Sequence, residues 1–356
     1  MQIRRALRID GTEVADSSDC YIIAEVGHNH QGSVEKCKEL FRVAKECEVD
    51  AVKLQKRDNR ALYTRAMYDK PYDNENSFGA TYGEHREALE FDWSEYVELK
   101  SYCREIGLTF FATAFDLPSV DFLARLDVPA FKIASGDLKT LPLLRHIAQC
   151  GKPMILSTGG ATMDDIERAY DVIMPINPQL CILQCTAAYP TVPEELNLQV
   201  ISTLRRRFPE LVIGLSDHDN GIAMALAAYV LGARVVEKHF TLNHTWKGTD
   251  HAFSLEPIGL RKLVRDLRRT RVAMGTGVKC PLPSEQDPLL KMGKKLVARR
   301  LLTAGHVLTD DDIAMKSPGD GLPPHYLDQV LGRTLLRQLD QDDNISFEVL
   351  SQGEGE

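Results

Sequence analysis

Apolar residues along this chain fall into two alternating textures. Short β-branched or aromatic runs cover Tyr21–Ala24, Ala51–Leu54, Thr109–Ala112, Ala130–Ile133, Met154–Leu156, Cys181–Gln184, Val212–Leu215 and Val235–Lys238. Between most of them lie amphipathic stretches of helical period, such as VEKCKELFRVAKECEVD, LPSVDFLARLDV and AMALAAYVLGA. Eight such strands, mostly about 20 to 30 residues apart and each followed by a helix, predict an α/β fold of the (β/α)8 or TIM-barrel type. A doubly wound open sheet competes, but it usually carries a Gly-rich phosphate loop after its first strand. Here the first strand runs into EVGHNHQG, which contains no GxGxxG. The barrel is the expected fold.

Two segments depart from the repeat. In residues 6–15, ALRIDGTEVA, an Asp-Gly pair between alternating stretches predicts an N-terminal β-hairpin that covers the lower end of the barrel. Residues 57–93 form a long insertion with Pro71, Gly79, Gly83 and several aromatic residues. An insertion of that size at a strand end predicts a substrate loop rather than a linker. After Met274 the texture changes. GTGVKCPLPSEQDP opens a linker over residues 275–290, and the short apolar runs of residues 291–356 predict a compact, mostly β module. The barrel domain accordingly spans residues 1–274.

Composition narrows the picture. With 356 residues, 44% hydrophobic, 26% charged and a formal net charge of −8, the chain has an ordinary globular profile. No stretch packs lysine and arginine densely with aromatics, so nucleic acid is not an expected partner. The N-terminus lacks an apolar signal core, and the longest nearly apolar run, Ile222 to Ala233, is too short for a membrane span. Eight cysteines without a CxxC pair read as free, buried thiols, which suits a cytoplasmic protein.

Polar residues cluster where the strands end. Residues two apart share a strand face, which pairs Lys53 with Gln55, Gln184 with Thr186, Ser216 with His218 and Glu237 with His239. Glu25, Thr113, Lys132, Ser135 and Ser157 sit at the ends of the remaining strands. All of these ends point to one rim, the catalytic face in characterised barrels. Lys53 and Lys132, with hydroxyls at Thr113, Ser135, Ser157 and Ser216, suit a small phosphorylated anion. His218 and His239, with Glu25 and Glu237 nearby, suit a divalent metal held partly by water. Two imidazoles without a thiolate fit Mn2+, Co2+ or Fe2+ better than a closed zinc site. An open coordination position leaves room for a substrate carbonyl. His146, His244, His306 and His325 read as structural, and Cys181 and Cys185 as core.

At this point the motifs identify a family. IIAEVGHNHQG, AVKLQK, TYGEHREALEF, FKIASGD, STGGATMDDI, LQCTAAYPTVPEELNL, IGLSDHDNGIAMALAAYVLGARVVEKHFTL and KGTDHAFSLEP resemble the sialic acid synthase family along the whole barrel. The C-terminal module is similar to that family's antifreeze-like (SAF) domain. NHQG, YGEH, LQCTAAYP and TWKGTDH are closest to the animal-type branch, which makes N-acetylneuraminate 9-phosphate.

The resemblance implies condensation of phosphoenolpyruvate with the open-chain aldehyde of an N-acetylmannosamine-type sugar, giving a nine-carbon 2-keto acid and phosphate by C–O cleavage. It assigns Lys53 and Thr113 to the carboxylate of phosphoenolpyruvate, and Lys132, Ser135, Ser157 and Ser216 to its phosphate. It assigns His218 and His239 to a divalent metal, Mn2+ or Mg2+ with Co2+ as a further candidate. Gln55, Asp137, Tyr189 and Asp250 would face the sugar, and Glu25 and Glu237 are the acid/base candidates. In relatives the SAF domain caps the neighbouring barrel, which implies a domain-swapped homodimer.

Departures from the bacterial pattern bear on the acceptor. Ala187 stands where bacterial synthases often carry Asn, and Ser317-Pro318-Gly319 lacks their Arg before Pro-Gly. Both lean toward a 6-phosphorylated sugar, with free N-acetylmannosamine and mannose 6-phosphate (giving KDN) as alternatives. Arg60, Lys70 and Arg86 of the long insertion are candidate sugar-phosphate ligands. The competing readings are a related seven- or eight-carbon ketoacid synthase and a non-catalytic sugar- or ice-binding protein on the same scaffold.

Overall fold

The computed structural model describes residues 4–352. The chain divides at Gly275/Thr276 into two compact units. The first begins with an antiparallel hairpin, β1 (Ala6–Ile9) and β2 (Thr12–Ala15). Its turn residues Asp10 and Gly11 both take positive φ, 48° and 81°, as a two-residue turn matched to strand twist requires. Leu7, Ile9 and Val14 are buried in the barrel core, and Asp10 accepts from Thr109 at the start of a barrel strand. The hairpin therefore closes the amino-terminal end, as its pattern predicts.

Eight parallel strands close into the expected barrel. They are β3 (Tyr21–Gly27), β4 (Ala51–Lys56), β5 (Thr109–Ala114), β6 (Phe131–Ile133), β7 (Met154–Ser157), β8 (Leu180–Cys185), β9 (Val212–Asp217) and β10 (Val235–His239), with β10 pairing both β9 and β3. Several run past their apolar cores, β3 furthest, by three residues, because the parallel ladder continues through the polar positions at their carboxyl ends.

The outer layer consists of α1 (Val34–Glu46) after β3, then α2 (Asn59–Leu62), α3 (Arg65–Tyr68), α4 (Tyr82–Glu87) and α5 (Trp93–Glu105) after β4. It continues with α6 (Leu117–Leu126), α7 (Leu141–Gln149), α8 (Met163–Ile173), α9 (Gln199–Arg207), α10 (Ala223–Val230) and α11 (Pro257–Met274), one after each remaining strand. In α1 the buried residues Cys37, Leu40, Phe41 and Ala44 recur at helical spacing and face the sheet. Ser33 caps its first turn by accepting from the Lys36 amide. Each large apolar side chain so buried contributes about 1.5–3 kcal/mol. The long insertion is thus folded, its three short helices tied by a bridge between Pro71 and Thr81.

The second unit contains α12 (Gln286–Met292), an antiparallel pair β11 (Lys295–Ala298) and β12 (Ile313–Lys316), and α13 (Leu327–Val330). Helix α12 begins inside the stretch that reads as linker in the sequence. Leu296, Leu302, Leu308, Ile313, Val330, Leu335, Leu339 and Ile345 form a separate core. Isolated bridges such as Leu302 with Leu339 extend its β character beyond the two regular strands. All eight cysteines are free, but Cys280 is exposed and Cys150 half-buried, against the expectation that all are buried. Among the described residues no helix is long and apolar enough to cross a membrane.

Candidate active site

A cavity of about 330 Å3 opens at the carboxyl ends of the strands, and of the residues that the family resemblance assigns to donor, metal, sugar or proton transfer all but Asp137 line it. Strand register explains the convergence. Glu25 of β3 lies beside Lys53 of β4 and His239 of β10, Thr113 of β5 lies beside Gln55 and Lys132, and Glu237 of β10 beside Ser216.

The cavity floor is a web of buried charge. Lys53 Nζ donates to Thr113 Oγ1 at 2.7 Å and lies 2.6 Å from Glu25 Oε2 and 3.9 Å from Glu237 Oε1. Lys132 Nζ donates to Ser157 Oγ at 2.7 Å and to the Ile133 carbonyl at 3.1 Å, and lies 3.5 Å from Glu237 Oε1. Glu237 Oε2 is buried without a hydrogen-bond partner. Gln55 Nε2 donates to Glu25 Oε1 at 2.7 Å. That contact depends on Gly27, whose φ of +53° accompanies a register shift in β3 and where a Cβ would crowd both groups at 3.1 Å. Around Ser135 the chain is equally tight. Its hydroxyl accepts from the Gly159 amide at 2.9 Å, and a Cβ at Gly159 would stand 2.8 Å from that oxygen.

Burial sets the proton affinities. It pushes the Glu25 carboxyl up from the usual range, a rise that Lys53 only partly offsets. Burial pushes Glu237 up as well, but Lys132 and Lys53 outweigh it and hold that carboxyl below its ordinary value. Lys132 is itself pulled down by burial, with Glu237 opposing. Two carboxyls on one floor are thereby driven apart, the arrangement that separates a proton carrier from a fixed anion.

On the other side of the floor the His218 and His239 rings lie 5.4 Å apart between centroids. His218 Nδ1 is 2.9 Å from the Thr186 carbonyl, which orients the ring and leaves Nε2 uncommitted. His239 Nδ1 is buried without a hydrogen bond, 3.7 Å from Asp250 Oδ2. Burial keeps His239 neutral, the form that can ligate. Among the described residues no group of three or more His, Cys, Asp and Glu side chains is placed to hold a metal. Two imidazoles with uncommitted nitrogens fit a divalent cation whose remaining ligands come from water or substrate.

The sequence matches the NeuB family over residues 40–279 and the SAF domain over residues 295–348. The chain belongs to the NeuB family. It is 43% identical to the mouse (Mus musculus) N-acetylneuraminate-9-phosphate synthase over 339 residues, covering 95% of this chain and 94% of that protein. It is 32% identical to the N,N'-diacetyllegionaminic acid synthase of Legionella pneumophila over 348 residues, covering 96% of this chain and 98% of that one. Among solved structures, the N-acetylneuraminic acid synthetase of Leptospira borgpetersenii superposes with a TM-score of 0.69 at 31% identity, covering 80% of this chain and 95% of its own. The chain is thus an enzyme of the sialic and nonulosonic acid synthase family.

Within this NeuB-family barrel some sequence expectations change. Gln184 and Thr186 do not enter the cavity. Cys185 takes the inward position on β8, so its neighbours point out and tie down the following loop, Gln184 to the Leu196 carbonyl and Thr186 to the Glu195 carbonyl. Asp137 lies off the cavity because the chain leaves β6 in a tight turn, Ser135–Asp137, that turns only Ser135 and Gly136 inward. Burial lifts the Asp137 carboxyl to about 6. Arg60 and Lys70 are exposed, and Arg60 stacks on Tyr68 at 3.7 Å. Of the three loop cations, Arg86 alone reaches the cavity.

At the mouth, Tyr189 is 56% exposed with its ring centroid 4.3 Å from that of His218. Arg57 and His28 are functional candidates that the sequence reading missed. Arg57 is buried, lines the cavity, donates to Gln55 Oε1 at 2.7 Å and stacks on Phe115 at 3.7 Å. Its signal was present, since Arg57 continues the every-second-residue series of Lys53 and Gln55.

Proposed function

We propose that this chain condenses phosphoenolpyruvate with N-acetylmannosamine 6-phosphate to give N-acetylneuraminate 9-phosphate and inorganic phosphate. The observation that carries this reading is the convergence of two buried lysines, their hydroxyl partners and two unlike carboxyls beside a histidine pair. Lys53 and Thr113 hold the donor's carboxylate. Lys132, Ser135, Ser157 and Ser216 hold its phosphate. Gln55, Tyr189 and Asp250 face the sugar.

The enol carbon C3 forms a bond to the aldehyde carbon, whose oxygen takes up a proton. Positive charge then grows at C2, and water captures it. Collapse of the resulting adduct breaks the C2–O bond, and phosphate leaves with the bridging oxygen as C2 becomes the ketone. Glu237, fixed between the two lysines, stabilises the cation at C2. Glu25, hydrogen-bonded to the sugar-facing Gln55, is the group placed to move a proton. A divalent ion, Mn2+ or Mg2+ with Co2+ as a further candidate, bound by His218 and His239 supplies Lewis-acid polarisation of the acceptor carbonyl.

The match to the SAF domain supports the proposal of a domain-swapped homodimer, and free thiols suit a cytoplasmic enzyme. Light scattering that finds a fully active monomer would contradict the dimer. The reaction itself is tested by incubating the protein with phosphoenolpyruvate and Mn2+ against N-acetylmannosamine, its 6-phosphate and mannose 6-phosphate. The expected product mass is that of N-acetylneuraminate 9-phosphate. Phosphate release only with the free sugar, only with mannose 6-phosphate, or with none of them would overturn the assignment.

A further inference from the structure

The upper wall of the cavity holds a second group of cations, separate from the lysines of the floor. Arg57 and Arg86 both line it, one just past β4 and the other on α4. Between them stands His28. Arg57 Nη1 lies 3.1 Å from His28 Nε2, and Arg86 Nη1 lies 3.1 Å from His28 Nδ1. A neutral imidazole carries a lone pair on only one ring nitrogen, so His28 accepts from one guanidinium and turns an N–H toward the other. Burial and the two flanking arginines keep His28 from gaining a proton of its own.

The arginines are held by neutral partners. Gln55 and the Phe115 ring fix Arg57, and the Tyr82 hydroxyl accepts from Arg86 Nε at 3.1 Å and from its Nη2 at 2.8 Å. Neither forms a salt bridge to a carboxylate among the described residues, and Glu90 of the same insertion is engaged by Lys56 at 3.0 Å. Arg57 is only 7% exposed. Asp250 and Glu90 act on Arg86 and Arg57 only through space, Glu90 Oε1 standing 3.9 Å from His28 Nε2, and both guanidinium groups retain N–H donors that no contact uses. Those free donors at the cavity wall suit an anion that pairs with them directly.

The position says which anion. Lys53, Gln55 and Arg57 succeed one another on one face of β4 and its continuation, and extended backbone sets Arg57 roughly 13 Å above Lys53. The donor's two anionic groups belong to the floor. An acceptor whose aldehyde meets phosphoenolpyruvate there must direct its far end toward the mouth.

We propose that Arg57 and Arg86, spaced by His28, form a subsite for a phosphate monoester on the acceptor carbon farthest from the aldehyde, and so select phosphorylated over free sugar. This inference rests on the condensation proposed above. Arg57 is a rigid element locked to the sugar-facing Gln55. Arg86 comes from the insertion after β4, which makes that insertion a specificity element.

Steady-state kinetics of the wild type, Arg86→Gln and Arg57→Gln with N-acetylmannosamine and its 6-phosphate test it. Each substitution is expected to lower the ratio of kcat/KM for the phosphorylated sugar to that for the free sugar by roughly ten- to a hundred-fold. KM for phosphoenolpyruvate should stay within about two-fold, since the floor is untouched. Arg86→Lys should recover part of the ratio, because charge returns without the planar fork. Arg86 is only half-buried, so that variant reports even if the Arg57 substitution impairs folding. Nine-carbon product with an unchanged acceptor ratio in Arg86→Gln would overturn the subsite and leave the condensation standing. No nine-carbon product from wild type with either sugar would overturn both.

Discussion

On β10, Glu237 and His239 face the cavity while Lys238 between them faces outward, and the two sides treat buried charge in opposite ways. Lys238 is 1% exposed, and its Nζ donates to Asp217 Oδ2 at 2.8 Å, to Asp219 Oδ1 at 2.6 Å and to the Asp219 carbonyl at 2.6 Å. All three protons of the ammonium are used. On the inner side, Glu237 Oε2 and His239 Nδ1 are buried without a hydrogen-bond partner. A closed network spends its charges on itself and fixes backbone; an open one keeps them for something that binds. The closed set also brackets the open one, because Asp217 and Asp219 flank His218 just as Lys238 adjoins His239. The outer triad thus sets where both histidines stand.

The contrast can be broken from either side, and the largest effect belongs to the open network. Lys132→Met is expected to lower kcat/KM for phosphoenolpyruvate by three to four orders of magnitude, about 4–5 kcal/mol of transition-state stabilisation. Its thermal unfolding midpoint should move little, because Lys53 still faces Glu237. A large loss of stability with activity retained would reverse the two roles.

Lys238→Met is the converse. It strands Asp217 and Asp219 together in the interior and should cost about 3–5 kcal/mol in urea-induced unfolding. Burial already lifts Asp217 to about 6 with its partner present. If Lys238→Met unfolds like wild type, the triad does not fix the strand ends.

Ser135→Ala removes one neutral hydroxyl whose oxygen accepts from the Gly159 amide. A fall of tenfold or less in kcat/KM for phosphoenolpyruvate is expected, about 1 kcal/mol for one neutral hydrogen bond. A loss as large as that of Lys132→Met would mean Ser135 holds more of the anion than its geometry shows.

Asp137 belongs to neither network and sharpens the comparison at its small end. Its folded-state carboxyl titrates near 6 against an ordinary 3.8, so ionisation opposes folding. That penalty is absent below pH 3.8, develops between 3.8 and 6 and is complete above 6. Asp137→Asn should unfold like wild type at pH 3.5 and be more stable by roughly 1 kcal/mol at pH 7.5. Equal stability at both pH values would remove the burial argument.

The barrel was legible because strand and helix periods differ and recur. The rim was legible because side-chain parity carries polar residues of successive strands to one end. Parity also explains the main error. Gln184 and Thr186 do share a face, but it is the outward one, because Cys185 between them takes the inward position on β8. Lys238, Asp217 and Asp219 passed unnoticed because charged residues on outward positions are usually solvated, and only the packed helix layer makes them buried partners. Arg57 was lost at a boundary, since the apolar run stops before it although the chain continues extended. The turn that carries Asp137 off the cavity depends on how Ser135 is wedged against Gly159, a contact between two different βα units that no local pattern records.

The central claim, that the floor of this barrel joins phosphoenolpyruvate to a sugar aldehyde with C–O rather than P–O cleavage, has one direct measurement. Phosphoenolpyruvate labelled with oxygen-18 in its bridging position is turned over with N-acetylmannosamine 6-phosphate and Mn2+, and both products are weighed. The account predicts that the label leaves in inorganic phosphate and that the nine-carbon keto acid carries none. Label retained at C2 of the keto acid would contradict it.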